Sequence, residues 1–355
     1  MDTIKIGITV GDINGIGLEV ILKTLSNNLV YKNFAPIIYG SPKIVSYHKN
    51  IINLPDLHIN QVKTPDQAQQ GVINLITCWQ ESVNISLGQA SAEAGKYALI
   101  SLTEATKDLK AGDIHGIVTA PVDKQVIHNE QFPFIGHTEY FAKEFNSPTV
   151  MLMTSPNVSV GMVTDHIPLK DVSRSLSKDL IIEKIKILHK TLRRDFGYEK
   201  GKIAVLGLNP HAGDKGLIGD EELSIIRPAI VECKNQGIFV FGPYSADGFF
   251  GSAQFKKFEA VLALYHDQGL IPFKTIAFSE GVNFTAGLPV VRTSPDHGVG
   301  YDIAGQNVAD ETSFRHALQM AFDVVRNRRS YDEAHNNPIA KRAKNFEDEV
   351  LKDEN

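Results

Sequence analysis

Cysteine is scarce in this chain: Cys78 and Cys233 are the only two among 355 residues. They stand too far apart for a disulfide framework or a cysteine-based zinc finger. Tryptophan occurs once, at Trp79, and with Cys78 it reads as a packing residue. There is no cationic excess either. Lys plus Arg numbers 36 against 41 Asp plus Glu, for a net charge of −5 and a pI near 6.2, so the sequence-independent attraction of a nucleic-acid binder is missing. No apolar run approaches the roughly 20 residues of a membrane span. The opening MDTIKIGITVGD has too short an apolar stretch for a signal peptide, so a cytoplasmic location without nucleic-acid or membrane partners is expected. No internal repeat and no low-complexity linker interrupts the chain. What remains is 43% hydrophobic and 22% charged, an ordinary globular balance. At about twice the common domain size, the length predicts two domains or one large α/β unit.

Apolar, β-branched runs alternate with helical patterns. Strands are expected at Ile4–Val10, Ala35–Tyr39, Gly116–Thr119, Thr149–Met153, Val158–Thr164, Lys202–Leu208 and Ala260–Tyr265. Several are nearly continuous apolar runs, as in strands buried on both faces. Amphipathic helices are expected over Ala92–Leu109, Lys178–Arg194, Asp220–Asn235 and Asp310–Asn327, with Ser177 and Gly219-Asp220 as start signals and Gly237 as a stop. The alternation argues an α/β fold with a mixed sheet, because Thr149–Met153 and Val158–Thr164 are close enough to form a hairpin. Lys341–Asn355 carries nine charges in fifteen residues and reads as a solvated terminal tail.

Three of the twelve histidines stand apart. His166, His211 and His266 each follow the C-terminal end of an apolar strand pattern, the edge at which open α/β sheets bind ligands. Three imidazoles with a free fourth position are a catalytic zinc pattern, although each could equally hydrogen-bond a loop, and pattern alone does not choose. Asp247 and Asp267 attend this set. Asp267 follows His266 directly and either orients its ring or caps the next helix.

A second cluster suits an anionic small molecule. GHTEYF places His137 and Thr138 at a helix start, where free N–H groups favour phosphate or carboxylate; an ordinary Thr cap would explain Thr138 alone. Further on, Lys274 in IPFKTIAF, Asn283 in GVNFTAG and Arg292 in PVVRTSP are polar groups set among apolar neighbours, as in an anion clamp or a structural ion pair. The loop GDINGIG has glycines at 11, 15 and 17. That spacing is not the dinucleotide fingerprint G-x-G-x-x-G, so a tight strand-to-helix turn is expected.

The segments GITVGDINGIG, IVTAPVDK, FIGHTEYFA, GMVTDHIPLKDV, LGLNPHAGDKGLIGDEE, GPYSADGFF, YHDQGLIPFK and GVNFTAGLPVVRTSPDHGVGYDIAG together resemble the 4-hydroxythreonine-4-phosphate dehydrogenase family, over about residues 4 to 328. The family usually has GDPAGIGPE in the first block, where this chain has Ile13, Asn14 and Leu18 in place of Pro, Ala and Pro; the glycines and Glu19 remain. The family offers no role for the charged tail.

The resemblance implies oxidation of the C3 hydroxyl of 4-phosphooxy-L-threonine by NAD⁺, with loss of CO₂ to give 3-amino-2-oxopropyl phosphate, in vitamin B6 biosynthesis. It implies one divalent ion on His166, His211 and His266, with substrate held by His137, Thr138, Lys274, Asn283 and Arg292. Zinc is favoured by three nitrogen ligands, with magnesium or cobalt as alternatives. Lys274, Asp247, Asp267 or a water would accept the proton. It further implies a homodimer with the active site at the subunit interface, and a two-domain fold similar to isocitrate and isopropylmalate dehydrogenases, with mixed sheets flanked by helices. Such a fold binds NAD without a Rossmann fingerprint, here near Gly287–Gly305. The expected division is residues 1–137 plus about 306–340 in one domain, 138–305 in a second carrying the metal ligands and dimer contact, and 341–355 as the tail. A sister dehydrogenase acting on phosphorylated threonate or erythronate would share most of these motifs. A metal-dependent hydrolase or lyase and a non-catalytic phosphosugar-binding protein are more distant readings.

Overall fold

The computed structural model describes residues 2–128, 132–134 and 136–336; the charged tail lies outside them. The strands are β1 (Lys5–Thr9), β2 (Ala35–Gly40), β3 (Asn60–Val62), β4 (Asn74–Thr77), β5 (Gly116–Thr119), β6 (Val150–Thr154), β7 (Ser159–Met162), β8 (Ile203–Leu206), β9 (Val240–Tyr244), β10 (Ala260–Ala263), β11 (Val282–Ala286) and β12 (Val291–Pro295). The principal helices are α1 (Gly17–Ser26), α2 (Pro42–Ile51), α3 (Ala92–Ala111), α4 (His137–Glu144), α5 (Lys178–Arg194), α6 (Arg227–Asn235), α7 (Ala246–Gly251), α8 (His266–Ala277) and α9 (Thr312–His335).

All twelve strands join one sheet in the order β3-β4-β2-β1-β5-β12-β11-β6-β7-β10-β8-β9. From β3 to β12 the pairing is parallel, and so it is from β7 to β9. Antiparallel pairs of β11 with β12 and β6, and of β6 with β7, join the two parallel halves. The expected hairpin is β6–β7. The mixed α/β architecture agrees with the expectation, and the sheet runs unbroken through both halves.

On one face, α3 and α4 pack Ala98, Leu102 and Phe141 against Ile37, Tyr39 and Ile117. Farther along that face, α7 and α8 pack Phe249, Leu270 and Phe273 against Met153, Val160, Leu206 and Val261. The opposite face is closed by α1, α5, α6 and α9 through Leu22, Ile185, Ile230 and Leu318, all in one core cluster. Between the α3/α4 group and the α7/α8 group, the central strands keep a stretch of the first face free of helix. That gap is where the functional residues gather.

The helix expected over Asp220–Asn235 differs in detail. Its first part is a wide π turn, Glu222–Ile226, and the α-helix proper begins at Arg227. Pro228 lacks the amide that would continue the regular ladder and crowds the carbonyl one turn back, which accounts for the widened turn. Among the described residues no helix is long and apolar enough to cross a membrane.

Candidate active site

The floor of the gap is a two-residue-period pattern on adjacent strands. Arg292 and Ser294 on β12 lie on the same face as Asn283 and Thr285 on β11 and Met151 and Met153 on β6, because Asn283 is directly opposite both Ser294 and Met153, and Thr285 opposite Met151. Thr119 ends β5 beside them. The walls are the first turn of α4 and the inner side of α8. The result is a cavity of about 260 Å³ lined by His137, Thr138, His166, His266, Lys274, Asn283 and Arg292, together with Thr119, Lys124, Glu139, Ser294, Asp296 and His297. Seven sequence-predicted residues, drawn from both the histidine set and the anion cluster and spread from position 137 to 292, therefore share one site.

Arg292 is buried at 2% exposure. Its Nε and one terminal nitrogen donate to Thr119 Oγ1 at 3.2 and 2.8 Å, and the other terminal nitrogen to Thr285 Oγ1 at 3.1 Å. No carboxylate among the described residues lies within ion-pair distance of it. Burial pushes its pKa down to about 9, with Glu139 acting against that, so the guanidinium is a desolvated cation short of a counter-charge. A structural ion pair is thereby excluded for Arg292 within the described residues, and an anionic ligand fits. Lys274 Nζ sits 3.5 Å from Asp296 Oδ1; burial raises the Asp296 carboxyl while Lys274 lowers it. Burial beside Arg292 and Lys124 pushes the His137 imidazole down to about 3, so it enters the site as a neutral ring.

Thr138 is not the cap of α4. The helix begins at His137, with Gly136 in the cap position and no side-chain cap bond, leaving the buried Thr138 hydroxyl on the cavity wall. Five buried polar atoms around this cavity have no partner among the described residues: His137 Nε2, Glu139 Oε2, Asn283 Oδ1, Asp296 Oδ2 and His297 Nε2. Unsatisfied buried groups concentrated in one place indicate a ligand site.

His166 and His266 form the other end of the cavity. They follow the parallel neighbours β7 and β10, and their ring centroids are 5.7 Å apart. His166 Nδ1 is 3.0 Å from Glu139 Oε1 and His266 Nδ1 is 2.7 Å from Asp267 Oδ1. Each ring thus has one nitrogen held by a carboxylate and, among the described residues, no hydrogen-bond partner on Nε2, the arrangement that orients an imidazole toward a metal ion. Asp267 serves His266; the start of α8 has no side-chain cap bond, so the capping alternative is set aside.

His211 does not join this pair. It lies in the turn Pro210–Gly216, where His211 through Lys215 all have positive φ, and it is close enough to Asp247 to lower that carboxyl's pKa, the larger cause being the Ser245 hydroxyl. Ser245 Oγ donates to Asp247 Oδ1 at 2.5 Å. Asp247 is likewise outside the cavity. Among the described residues no group of three His, Cys, Asp or Glu side chains is placed to hold an ion. The stretch expected to meet a dinucleotide is also divided. Gly287 packs on Pro148 and Ile187, away from the site, whereas Asp296, His297 and Gly298 line it.

Several site residues escaped sequence reasoning. Glu139 is the fourth residue of GHTEYF, and only the fold shows that it reaches His166. Asp165, next to His166, is pushed up to about 6 by burial, against the pull of Lys184. Three of the contacts that hold the glycine turn come from Tyr301, Val299 and His48. Tyr301 donates to Asp12 at 2.7 Å, the Ile16 amide donates to the Val299 carbonyl, and His48 Nε2 is 3.0 Å from the Ile13 carbonyl oxygen. Gly11, at φ +65, approaches Pro121 so closely that a Cβ would meet its carbonyl oxygen at 2.3 Å. It is a tight turn, as expected. Cys78 and Trp79 are packing residues: burial pushes the Cys78 thiol up to about 12, and Trp79 rests 4.8 Å from the Tyr97 ring.

Comparison with known proteins agrees with this geometry. The family described as pyridoxal phosphate biosynthetic protein PdxA matches residues 32–321. A 4-hydroxythreonine-4-phosphate dehydrogenase from Bacteroides thetaiotaomicron is 46% identical over 340 residues, covering 95% of this chain and 93% of that protein. The crystal structure of 4-hydroxythreonine-4-phosphate dehydrogenase from Klebsiella pneumoniae superposes with a TM-score of 0.79 at 32% identity, over 91% of this chain and 98% of that one. An isocitrate dehydrogenase from Methylococcus capsulatus shares the fold at 12% identity and a TM-score of 0.52, over 94% and 89% of the two chains. By the extent of the family match and the identity to its relatives, the chain belongs to the PdxA family of pyridoxal phosphate biosynthetic proteins.

Proposed function

We propose that the protein oxidises 4-phosphooxy-L-threonine at C3 with NAD⁺, with loss of CO₂ to give 3-amino-2-oxopropyl phosphate. The observation that carries the reading is the division of a single cavity into an anion end, built on Arg292, which has no carboxylate partner among the described residues, and an imidazole end, built on His166 and His266. Arg292, Lys274, Asn283, His137 and Thr138 bind and orient the substrate, so that the reacting carbon is held rather than merely captured. The free nitrogens of His166 and His266 suit a divalent ion, for which zinc is favoured by nitrogen ligation. When bound, that ion supplies a Lewis acid for the C3 oxygen, and NAD⁺ supplies the hydride acceptor. Of the side chains considered as proton carriers, Lys274 is the one that lines the cavity, and its contact with Asp296 provides a carboxyl to which a proton can pass. The 296–305 segment, beside the glycine turn, is the part of the expected cofactor stretch that approaches the site.

The position of His211 supports a homodimer with a shared site. Among the described residues, His166 and His266 are a pair lacking a third nitrogen, and His211 is a histidine on an exposed turn lacking a companion imidazole. Around them Leu169, Leu217 and Leu223 are 72, 81 and 47% exposed, an apolar rim tied together by the Ser173 hydroxyl on Glu221 at 2.7 Å. We assign the third nitrogen to His211 of the partner subunit. Residues 1–137 plus about 306–340, and 138–305, would be the two domains of each protomer, with 341–355 as a tail.

Addition of 4-phosphooxy-L-threonine and NAD⁺ should generate NADH absorbance that is lost with a chelator. Equal or faster turnover of phosphorylated threonate would reassign the substrate to the sister activity. Absence of NADH with both substrates would overturn the dehydrogenase reading. Independently of turnover, His166→Ala and His266→Ala should each lose most bound metal, measured by elemental analysis of purified protein.

A further inference from the structure

The guanidinium of Arg292 is held in an unusual way for a buried cation. Arginine in a protein interior ordinarily meets a carboxylate, which offers bidentate geometry and cancels the charge. The same molecule does this elsewhere: Arg328 pairs with Asp195 at 2.7 and 3.1 Å in a buried bridge. At Arg292 three N–H donors are taken instead by two threonine hydroxyls, both on residues with 0% exposure. A neutral acceptor fixes the orientation of the guanidinium plane and leaves its charge uncancelled. Thr119 comes at the end of β5 and Thr285 lies within β11, directly opposite Met151 on β6, so both hydroxyls are set by the sheet and not by a loop.

Thr119 has a further property. Its Oγ1 accepts from two nitrogens of Arg292, which occupies both hydroxyl lone pairs. The hydroxyl proton is then the remaining hydrogen-bonding capacity of the group, no acceptor for it is found among the described residues, and Thr119 lines the cavity. We propose that Thr119 and Thr285 are positioning residues that hold Arg292 as an uncompensated cation for the substrate's phosphate, with the Thr119 hydroxyl itself donating to the bound anion. This rests on the reading of Arg292 as an anion-binding residue.

The test uses the full-length metal-free protein with inorganic phosphate as the probe, by titration calorimetry, and the same variants in steady-state turnover. Removing hydrogen bonds to a charged group costs about ten- to hundredfold in affinity. Thr119→Val, which keeps the shape and deletes the hydroxyl, should weaken phosphate at least tenfold and raise KM with a smaller change in kcat, as for an interaction present before and during reaction. Thr119→Ser should stay within threefold of wild type. Thr285→Val, which deletes one bond, should weaken phosphate about three- to tenfold, and it carries the test if circular dichroism shows Thr119→Val misfolded. Arg292→Ala separates the two levels of the argument. Phosphate binding unchanged in Arg292→Ala would defeat the anion reading itself. Phosphate lost in Arg292→Ala but within twofold of wild type in both valine variants would leave that reading standing and overturn the role given to the threonines.

Discussion

His48 is a buried neutral histidine that fastens the glycine turn, and its protonation should make the fold acid-sensitive. It is 3% exposed on α2, and its Nε2 donates to the carbonyl of Ile13. Burial pushes its pKa from 6.5 down to about 4, opposed by that hydrogen bond and by Glu19. Because the folded value lies below the unfolded one, the unfolded chain binds more protons between the two. The neutral ring's contribution to stability is therefore complete above pH 6.5 and is lost progressively as pH falls toward 4. A pH of 5 lies about 1.5 pH units below the unfolded value of 6.5, which at about 1.4 kcal/mol per unit is a loss of about 2 kcal/mol. His48→Gln provides the comparison: its amide can donate to Ile13 and does not titrate in this range. Urea unfolding of the wild type and the variant at pH 7.5 and pH 5.0 should show the difference between their stabilities shifting by about 2 kcal/mol in favour of the variant at the lower pH. Parallel pH dependences would refute the reasoning, because they would mean that His48 does not stay neutral in the folded protein.

Other perturbations probe separate parts of the structure. Arg328→Ala leaves Asp195 buried without its bidentate partner and should cost about 3–5 kcal/mol, read as a large fall in the thermal midpoint; a change of a degree or two would contradict it. In Gly15→Ala the new Cβ would stand 2.6 Å from the Val299 carbonyl oxygen and 2.2 Å from its Cγ1. The 296–299 segment must then shift, and kcat/KM should fall at least tenfold while metal content stays normal. Co-expressed His211→Ala and His266→Ala chains should recover activity above either homodimer, because a mixed dimer can retain one site with all its imidazoles. Equal inactivity of mixed and pure dimers, or a monomer by light scattering, would remove the shared site.

Strands that serve mainly the core were legible. The runs giving β1, β2, β8 and β10, and β5 up to the cavity-lining Thr119 at its end, are apolar at nearly every position, as burial on both sheet faces requires. β11 and β12 were not recognised as strands, although their residues were singled out. VNFTA and VRTSP interrupt the apolar run with Asn283 and Arg292, the side chains turned into the cavity, so function erased the pattern that would have announced the element. β3 and β4 are too short and polar to give a signal, and Pro243 in β9 argues against a strand by itself.

The histidines and cations of the site could be named from local surroundings and from resemblance, because each chemistry needs particular side chains wherever they come to lie. Their division into a paired site and a separate turn could not. His166 and His266 meet because β7 and β10 are neighbours in the sheet, while the left-handed turn after β8 carries His211 off toward Asp247. The same holds for Arg292. The sequence shows a cation among apolar residues, a pattern shared by ion pairs and anion clamps alike. Only the register of β5, β12 and β11, which sets threonines rather than carboxylates around the guanidinium, leaves its charge available to a ligand. Side-chain identity is local and is written residue by residue. Whether a charge is already neutralised depends on neighbours up to 173 positions away, and strand pairing decides which those are.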